Sequence, residues 1–182
     1  MIKNSKPRIL AIDPGIRHVG IAVLQGADLV YHGVLTMPYR RTPEAVRRNT
    51  RALVRFLLSD FRPTVLAIEE NSIGTRRTRS LLHAMVSETK RMGRLGGIEV
   101  VMKSASAVKK ALTSNGRASK EEVARACVRL FPQLKAYLRQ TAKWRVQYHG
   151  NMFDAVALGL VALDQQSGGQ HPNTLTKTLR YR

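Results

Sequence analysis

Three carboxylates stand at the ends of apolar segments, where their residue types favour metal-assisted hydrolysis. Asp13 and Glu69 each end a short apolar run, and Asp154 precedes the apolar residues 155–158. Converging carboxylates repel one another and resist ionisation, and a divalent cation removes that conflict. Magnesium fits because it takes hard oxygen ligands and lets substrate phosphates complete its octahedron. The trio therefore predicts a magnesium site, with two ions about 3.5–4 Å apart, for hydrolysis at phosphorus.

Each acid also has an ordinary structural explanation when it is taken alone. An Asp before Pro-Gly is a common turn residue, and an acid in the first turn of a helix complements the helix dipole. The combination favours a functional site, since the chain holds only 12 acidic residues and these three stand at the ends of apolar elements.

The chain is strongly basic. Its 31 Lys and Arg residues against 12 Asp and Glu give a formal net charge of +19. Such a surface favours a polyanion, and nucleic acid is the expected partner because neutralising phosphates releases counterions. We expect no membrane partner and a cytoplasmic location, because the sequence has neither a long apolar stretch nor a secretory signal. The lone Cys127 is expected to be a buried small hydrophobe.

The carboxylates must be positioned by the elements around them. Two apolar runs between residues 8 and 35, separated by turn residues, predict consecutive strands. Further strands are predicted at 65–68 and 98–102. Helices are predicted at 43–59, before Gly96-Gly97, in two short segments after residue 102, and at roughly 150–166. Strands first and then strands alternating with helices predict an α/β fold with a mixed sheet covered by helices on both faces.

The length of 182 residues suits one domain. We expect residues 1–166 to form it and residues 167–182 to be a flexible basic tail. A sugar-kinase or actin-like fold, which also begins with an Asp-x-Gly strand, needs two domains and a longer chain.

Four ordered blocks resemble the RuvC family of Holliday junction resolvases, within the ribonuclease H-like superfamily. They run from about residue 8 to 163, and they comprise the strings Leu10-Ala11-Ile12-Asp13-Pro14-Gly15-Ile16-Arg17-His18-Val19-Gly20, Ala67-Ile68-Glu69, Val108-Lys109-Lys110 with Gly116-Arg117-Ala118-Ser119-Lys120, and Asp154-Ala155-Val156-Ala157. The resemblance implies a ribonuclease H-like fold and a homodimeric endodeoxyribonuclease. Such an enzyme nicks a four-way DNA junction symmetrically in recombination and repair, using magnesium, for which manganese is expected to substitute.

The same resemblance assigns roles to residues. Asp13, Glu69 and Asp154 are implied to be metal ligands. Lys109 and Lys120 are implied to lie at the phosphate and to stabilise transition-state charge.

The chain departs from the family pattern at two places. The family has an acid or a histidine three residues before the final Asp, and Asn151 stands there; its amide oxygen is a magnesium ligand without charge, and His149 is an alternative helper. The family also has an aromatic soon after the Glu. Here Ile73 is the candidate apolar wedge between bases.

Other residues near the acids are candidate contacts of nucleic acid. Arg76, Arg77 and Arg79 follow the Glu69 strand and are expected to bind phosphates. Glu70 neighbours Glu69, but adjacent strand residues face opposite ways, so only one can join the site, and Glu69 is preferred. Trp144 and Tyr148 are expected either to stack on exposed bases or to pack against the sheet edge.

Two alternative functions stay open at this level. One is an RNA-processing nuclease of the same fold, similar to the YqgF proteins. The other is a nucleic-acid-binding protein without catalysis. The sequence specifies neither the preferred junction sequence, the dimer interface, nor a branch-migration partner.

Overall fold

The structure is a computed structural model that describes residues 6–70, 75–138, 143–166 and 168. Its strands are β1 Arg8–Asp13, β2 His18–Gln25, β3 Asp28–Thr36, β4 Val65–Glu70 and β5 Glu99–Ser104. Its helices are α1 Pro43–Phe61, α2 Arg76–Leu95, α3 Ala105–Thr113, α4 Lys120–Leu130, α5 Lys135–Leu138 and α6 Lys143–Gln166. The predictions for Ile73 and for the tail 167–182, apart from Gly168, concern residues outside the described part.

The five strands form one mixed sheet in the order β3-β2-β1-β4-β5. Strands β1, β2 and β3 pair antiparallel, whereas β1, β4 and β5 pair parallel. The parallel register sets Ile12 beside Ile68, so Asp13 and Glu69 follow at the same edge of the sheet. The predicted mixed sheet is confirmed, and its parallel half brings two of the three carboxylates together.

Helices cover both faces of the sheet, as predicted. Alternate residues of β1 point to opposite faces, as the pleat requires. Leu10 and Ile12 pack with α1 and α2, whereas Ile9 and Ala11 pack with α4 and α6. Both cores exclude water almost completely, and burial of Cys127 in the second core confirms its expected role. None of the described helices is long and apolar enough to span a membrane.

Two predictions about helices were wrong in detail. The last helix begins at Lys143, not near 150, so Asp154 lies in its middle and is not a first-turn acid. The apolar period of residues 43–59 predicts that Phe56 lies on the buried face of α1, but Phe56 is 60% exposed, and Val54 packs in the core instead. Both errors arise because the apolar pattern of a helix is compatible with more than one rotation and starting point.

A buried carboxylate joins α1 to α2 on the face away from α6. Glu88 is 3% exposed, and its oxygens accept hydrogen bonds from Arg51 at 2.8 Å and from Arg91 at 2.6 and 3.1 Å. The hydrogen bonds from Arg91 are the largest of the effects that lower the pKa of Glu88 to about 2. This cluster therefore fixes α1 and α2 to each other on the face of the sheet opposite α6.

Glu88→Gln is expected to destabilise the fold by roughly 2 kcal/mol, because it leaves two guanidinium groups without their counter-charge. A lowered pKa contributes stability above the ordinary value of 4.5 and loses it as the pH falls toward 2. Urea unfolding between pH 7 and 3 measures this, and the variant is expected to show a shallower acid slope. Glu44→Gln is the control, since Glu44 is an exposed acid of α1. Equal stability of the Glu88 variant and this control would contradict the assignment.

Candidate active site

Three carboxylates meet at the edge of the sheet where β1 and β4 end. Asp13 is 5% exposed and Glu69 is 7% exposed, while the side chain of Asp154 on α6 is 15% exposed. All three line one cleft of about 350 Å³, together with Asn151, Lys109 and Lys120. The site residues predicted from separate parts of the sequence therefore share one cavity.

The alternation of β4 decides which glutamate joins the cleft. Glu69 is buried and lines the cavity, whereas Glu70 is exposed and is not among the residues that line it. The preference for Glu69 over Glu70 follows from the strand geometry.

Close packing of α6 on β2 positions the third carboxylate. A Cβ on Gly20 would lie 1.9 Å from the carbonyl oxygen of Asn151, so only glycine allows this approach. The amide nitrogen of Asn151 also donates a hydrogen bond to the carbonyl oxygen of His18 at 2.6 Å. These contacts anchor α6 one turn before Asp154.

Lys120 is held at the cleft by the start of α4. Ser119 and Glu122 form a capping box, in which each side chain accepts from the other residue's backbone N–H. Lys120 is the first residue of this helix, and its Nζ donates to Oδ2 of Asp154 at 3.0 Å. A Cβ on Gly150 would lie 3.3 Å from that Nζ, so the glycine leaves room for the ammonium.

Lys109 reaches the cleft from α3. Ser104 caps this helix by accepting from the N–H of Ala107, and the buried Val108 fixes its orientation. The next lysine, Lys110, is exposed and is not among the residues that line the cleft. The chain therefore offers two adjacent lysines, of which one faces the site.

The carboxylates resist ionisation. Burial, followed by the charges of Glu69 and Asp154, raises the pKa of Asp13 well above its usual value. Burial, followed by the charge of Asp154, raises the pKa of Glu69 to about 7. Burial alone would lower the pKa of Lys120, but the charge of Asp154 and the bond to it raise that pKa. The ionised carboxylates therefore repel one another, and the charges of the nearby lysines offset this repulsion only in part.

The metal-free protein is expected to lose stability as the pH rises from about 5 to 8. A raised carboxyl pKa contributes stability below the ordinary value of 4.5, and this stability is lost as the pH rises through about 7. For Glu69 the loss is roughly 2 to 3 kcal/mol. Thermal unfolding in a chelator measures it, and added magnesium is expected to restore stability at pH 8.

Glu69→Gln is the control for this pH dependence, because it retains the shape without the charge. The variant is expected to show a smaller loss between pH 5 and 8 and a smaller response to magnesium. Identical pH profiles of the two proteins would show that the site carboxylates do not cause the dependence.

Other predicted site residues lie outside the cleft. His149 is not among its lining residues; its ring contacts those of Tyr137 at 4.9 Å and Tyr148 at 5.2 Å. Arg76 and Arg79 are exposed in the first turn of α2, and Arg77 lines a neighbouring pocket. Of the two residues considered for the fourth position of the site, Asn151 lines the cleft and His149 is not among its lining residues.

Sequence reasoning missed several residues of the cleft wall, among them Ile16 and Thr78. Ile16 lies in the loop between β1 and β2. A loop has no regular periodicity from which the direction of its side chains can be predicted. Thr78 lies in the segment Thr75–Arg79, in which only the arginines are predicted to bind phosphates. Thr75 caps α2 by accepting from the N–H of Thr78, and this bond fixes the turn beside the cleft.

Comparison with known proteins gives one consistent family. The family model described as crossover junction endodeoxyribonuclease RuvC matches residues 9–143. The chain is 32% identical over 128 residues to the RuvC protein of Rubrobacter xylanophilus, covering 66% of this chain and 70% of that protein. It is 31% identical over 137 residues to RuvC of Bdellovibrio bacteriovorus, covering 72% and 80%.

A solved structure has the same fold. The structure of Thermus thermophilus RuvC in complex with a Holliday junction substrate superposes with a TM-score of 0.68 at 22% identity, covering 89% of this chain and 96% of that one. Asn151 and Asp154 lie beyond the segment that the family model matches, so their assignment depends on the geometry of the cleft. Because the family model matches most of its length, this chain belongs to the RuvC family of crossover junction endodeoxyribonucleases.

Proposed function

We propose that this protein is a metal-dependent endonuclease that resolves four-way DNA junctions by paired symmetric nicks. The observation that supports the proposal best is the convergence of Asp13, Glu69 and Asp154 in one cleft with Lys109 and Lys120. In a chain of charge +19, such a local excess of acid favours a cation site facing a polyanionic substrate.

The donor set suits magnesium. The ligands are carboxylate oxygens, with the amide oxygen of Asn151 as an uncharged fourth donor, and hard oxygens are what this ion prefers. Among the described residues, no three His, Cys, Asp or Glu side chains already surround a common point at ligand distance. An open site of this kind fits an ion that retains waters and takes phosphate oxygens, not one enclosed by protein.

The side chains of the cleft have different proposed roles. The carboxylates would hold magnesium, with two ions as the proposed stoichiometry, and the bound metal would supply activation of water and stabilisation of the leaving oxygen. Lys120 neutralises Asp154 before the substrate arrives. With substrate present, Lys109 and Lys120 place fixed positive charge where the phosphorane-like transition state gains negative charge. Asn151 holds the loop after β1 through its bond to His18.

Two cuts at symmetric positions require two active sites, and this chain carries one such cleft among its described residues. We propose that a homodimer supplies both, because a two-fold axis of the protein then matches the pseudo-two-fold axis of a junction. The arginines at the start of α2 are proposed to contact phosphates that flank the cut. Residues 1–166 are proposed as the nuclease domain, in a cytoplasmic protein.

The test compares a synthetic four-way junction, the matched duplex and a structured RNA, with magnesium, with manganese and in a chelator. The expected result is nicking of two opposite junction strands with either metal and none in the chelator. Asp13→Asn is the control for contaminating nucleases. Failure of the wild type to nick the junction, or equal nicking by the variant, would overturn the proposal.

The two alternatives make different predictions in the same assay. An RNA-processing nuclease would cut the RNA in preference to the junction. A protein without catalysis would bind the junction and leave every strand intact. The family match favours neither, since the matched relatives are named as endodeoxyribonucleases.

A further inference from the structure

The carbonyl group of His18 lies beyond the end of the strand that would bond it. The N–H of Met37 donates to the carbonyl oxygen of Arg17 at 2.7 Å, so Arg17 bonds on the side of β3. In an antiparallel pair the bonding groups of the next residue point the other way, and those of His18 therefore point toward β1. The pairing of β1 with β2 ends where Asp13 lies opposite Gly20. Strand β1 therefore supplies no donor for this carbonyl.

The side chain of Asn151 supplies the missing donor. Its amide nitrogen donates to the carbonyl oxygen of His18 at 2.6 Å, across 133 positions of sequence. A carbonyl oxygen only accepts hydrogen bonds, so the atom that faces it must be the amide nitrogen and not the amide oxygen. A buried carbonyl without a donor costs free energy comparable to a lost hydrogen bond. Position 151 therefore needs a residue that can donate.

This bond closes the loop that follows Asp13. A Cβ on Gly15 would lie 2.1 Å from the carbonyl oxygen of His18 and 3.1 Å from the amide nitrogen of Asn151. The two arms of the loop thus meet at the bond, and only glycine leaves room for the carbonyl there. Residues 14–16 of the same loop line the cleft. The bond from α6 therefore fixes one wall of the cleft, directly beside the carboxylate of β1.

An acid at position 151 could not make this bond. Aspartate has the shape of asparagine, but an ionised carboxylate only accepts hydrogen bonds. In place of Asn151 it would set a charged oxygen against the carbonyl oxygen of His18, and the two oxygens would repel each other. The family pattern has an acid or a histidine at this position. The asparagine of this chain therefore adds a bond to the loop and does not merely remove a charge from the site.

We propose that Asn151 is a positioning residue, whose amide nitrogen holds the loop after β1 in the form that cleavage requires. The inference rests on the proposed junction nuclease function and adds a required hydrogen-bond donor to that site. The amide oxygen stays available as the uncharged metal ligand. Replacement of Asn151 by an acid is therefore harmful in this chain, although a carboxylate is the stronger ligand of magnesium.

Hydrogen exchange in the full-length protein, with metal removed by a chelator, measures the loop directly. Asn151→Asp and Asn151→Ala are each expected to speed exchange of the backbone amides of residues 15–18 about ten-fold, because the loop opens more often without the bond. The alanine variant removes the donor without adding a charge. Amides of β4 are expected to exchange as in the wild type, which excludes general unfolding as the cause.

Asn115→Asp is the matched control, because it makes the same chemical change at an exposed residue that does not line the cleft. Its Oδ1 accepts from the N–H of Arg117 at 3.0 Å, and an aspartate keeps that bond. This variant is expected to show the exchange rates and the junction cleavage of the wild type.

Cleavage kinetics separate positioning from binding. At saturating magnesium, Asn151→Asp and Asn151→Ala are each expected to lower kcat for junction nicking by about ten-fold to 100-fold, since small misplacements at a reacting centre have effects of this size. The KM for the junction is expected to stay within a few-fold, because phosphate contacts elsewhere on the basic surface provide most of the binding.

The outcomes distinguish this inference from the proposed function. If the wild type nicks junctions and Asn151→Asp nicks them as fast or faster, the position needs only a ligand, and the positioning role is wrong. Loop exchange that is unchanged in both variants, or faster in the aspartate variant alone, would also overturn it, the latter by assigning the effect to repulsion among carboxylates. If the wild type nicks no junction, the proposed function fails and the positioning role fails with it.

Discussion

Asp13→Asn is expected to lower junction cleavage by about 1000-fold or more, because it removes a buried carboxylate that is proposed as a metal ligand at the end of β1. Junction binding is expected to persist within a few-fold, since Asp13 repels phosphates and contributes nothing to their attraction. Cleavage under single-turnover conditions and binding in a gel assay measure the two effects separately.

The same variant is expected to unfold at a higher temperature than the wild type when metal is absent. Burial and the neighbouring charges of Glu69 and Asp154 raise the pKa of Asp13, so its ionised form destabilises the empty site. Asparagine retains the shape and removes that charge. Full cleavage by the variant, or a lower unfolding temperature without metal, would contradict the proposed role of Asp13.

Lys120→Gln is expected to lower kcat for junction cleavage by about 100-fold to 1000-fold, which is the usual effect of losing one preorganised charge at a reacting centre. The charge of Lys120 lowers the pKa of both Asp13 and Glu69. Its removal raises both pKa values further, so the acid limb of the pH-rate profile is expected to move to higher pH. More magnesium is then needed for half-maximal rate at neutral pH.

Lys110→Gln is the matched control for Lys120→Gln, because it removes an equal charge from an exposed residue beside Lys109. It is expected to weaken junction binding slightly at low salt and to leave kcat and the pH profile unchanged. If Lys120→Gln loses as much junction binding as cleavage, the role of Lys120 is only to attract DNA. An unchanged pH-rate profile of Lys120→Gln would show that Lys120 does not influence the pKa values of the carboxylates.

Much of the active site was predictable because the relevant signals are local. Asp13 and Glu69 end buried strands, and the pleat of a strand alone excludes Glu70 from the face that Glu69 occupies. The capping box that begins at Ser119 is also a local pattern, and it fixes the turn that carries Lys120.

Other features depended on contacts between distant parts of the chain. Asn151 stood out as a departure from the family pattern, but its bond to the carbonyl oxygen of His18 crosses 133 positions of sequence. His149 stands two residues earlier, and only the packing of α6 turns it toward Tyr137 and away from the cleft.

The sequence by itself determined the residue types, the order of strands and helices, the excess of positive charge and the family resemblance. These follow from periodicity, capping and composition, which are properties of neighbouring residues. Only the tertiary structure decided which acids share a cavity and that Asp154 lies in the middle of a helix. Those features arise where β1, β4, α2, α4 and α6 pack together, and the rotation of each helix is fixed by that packing. The sequence supplies the three carboxylates, and the close approach of α6 to Gly20 brings Asp154 to the same cleft as the other two.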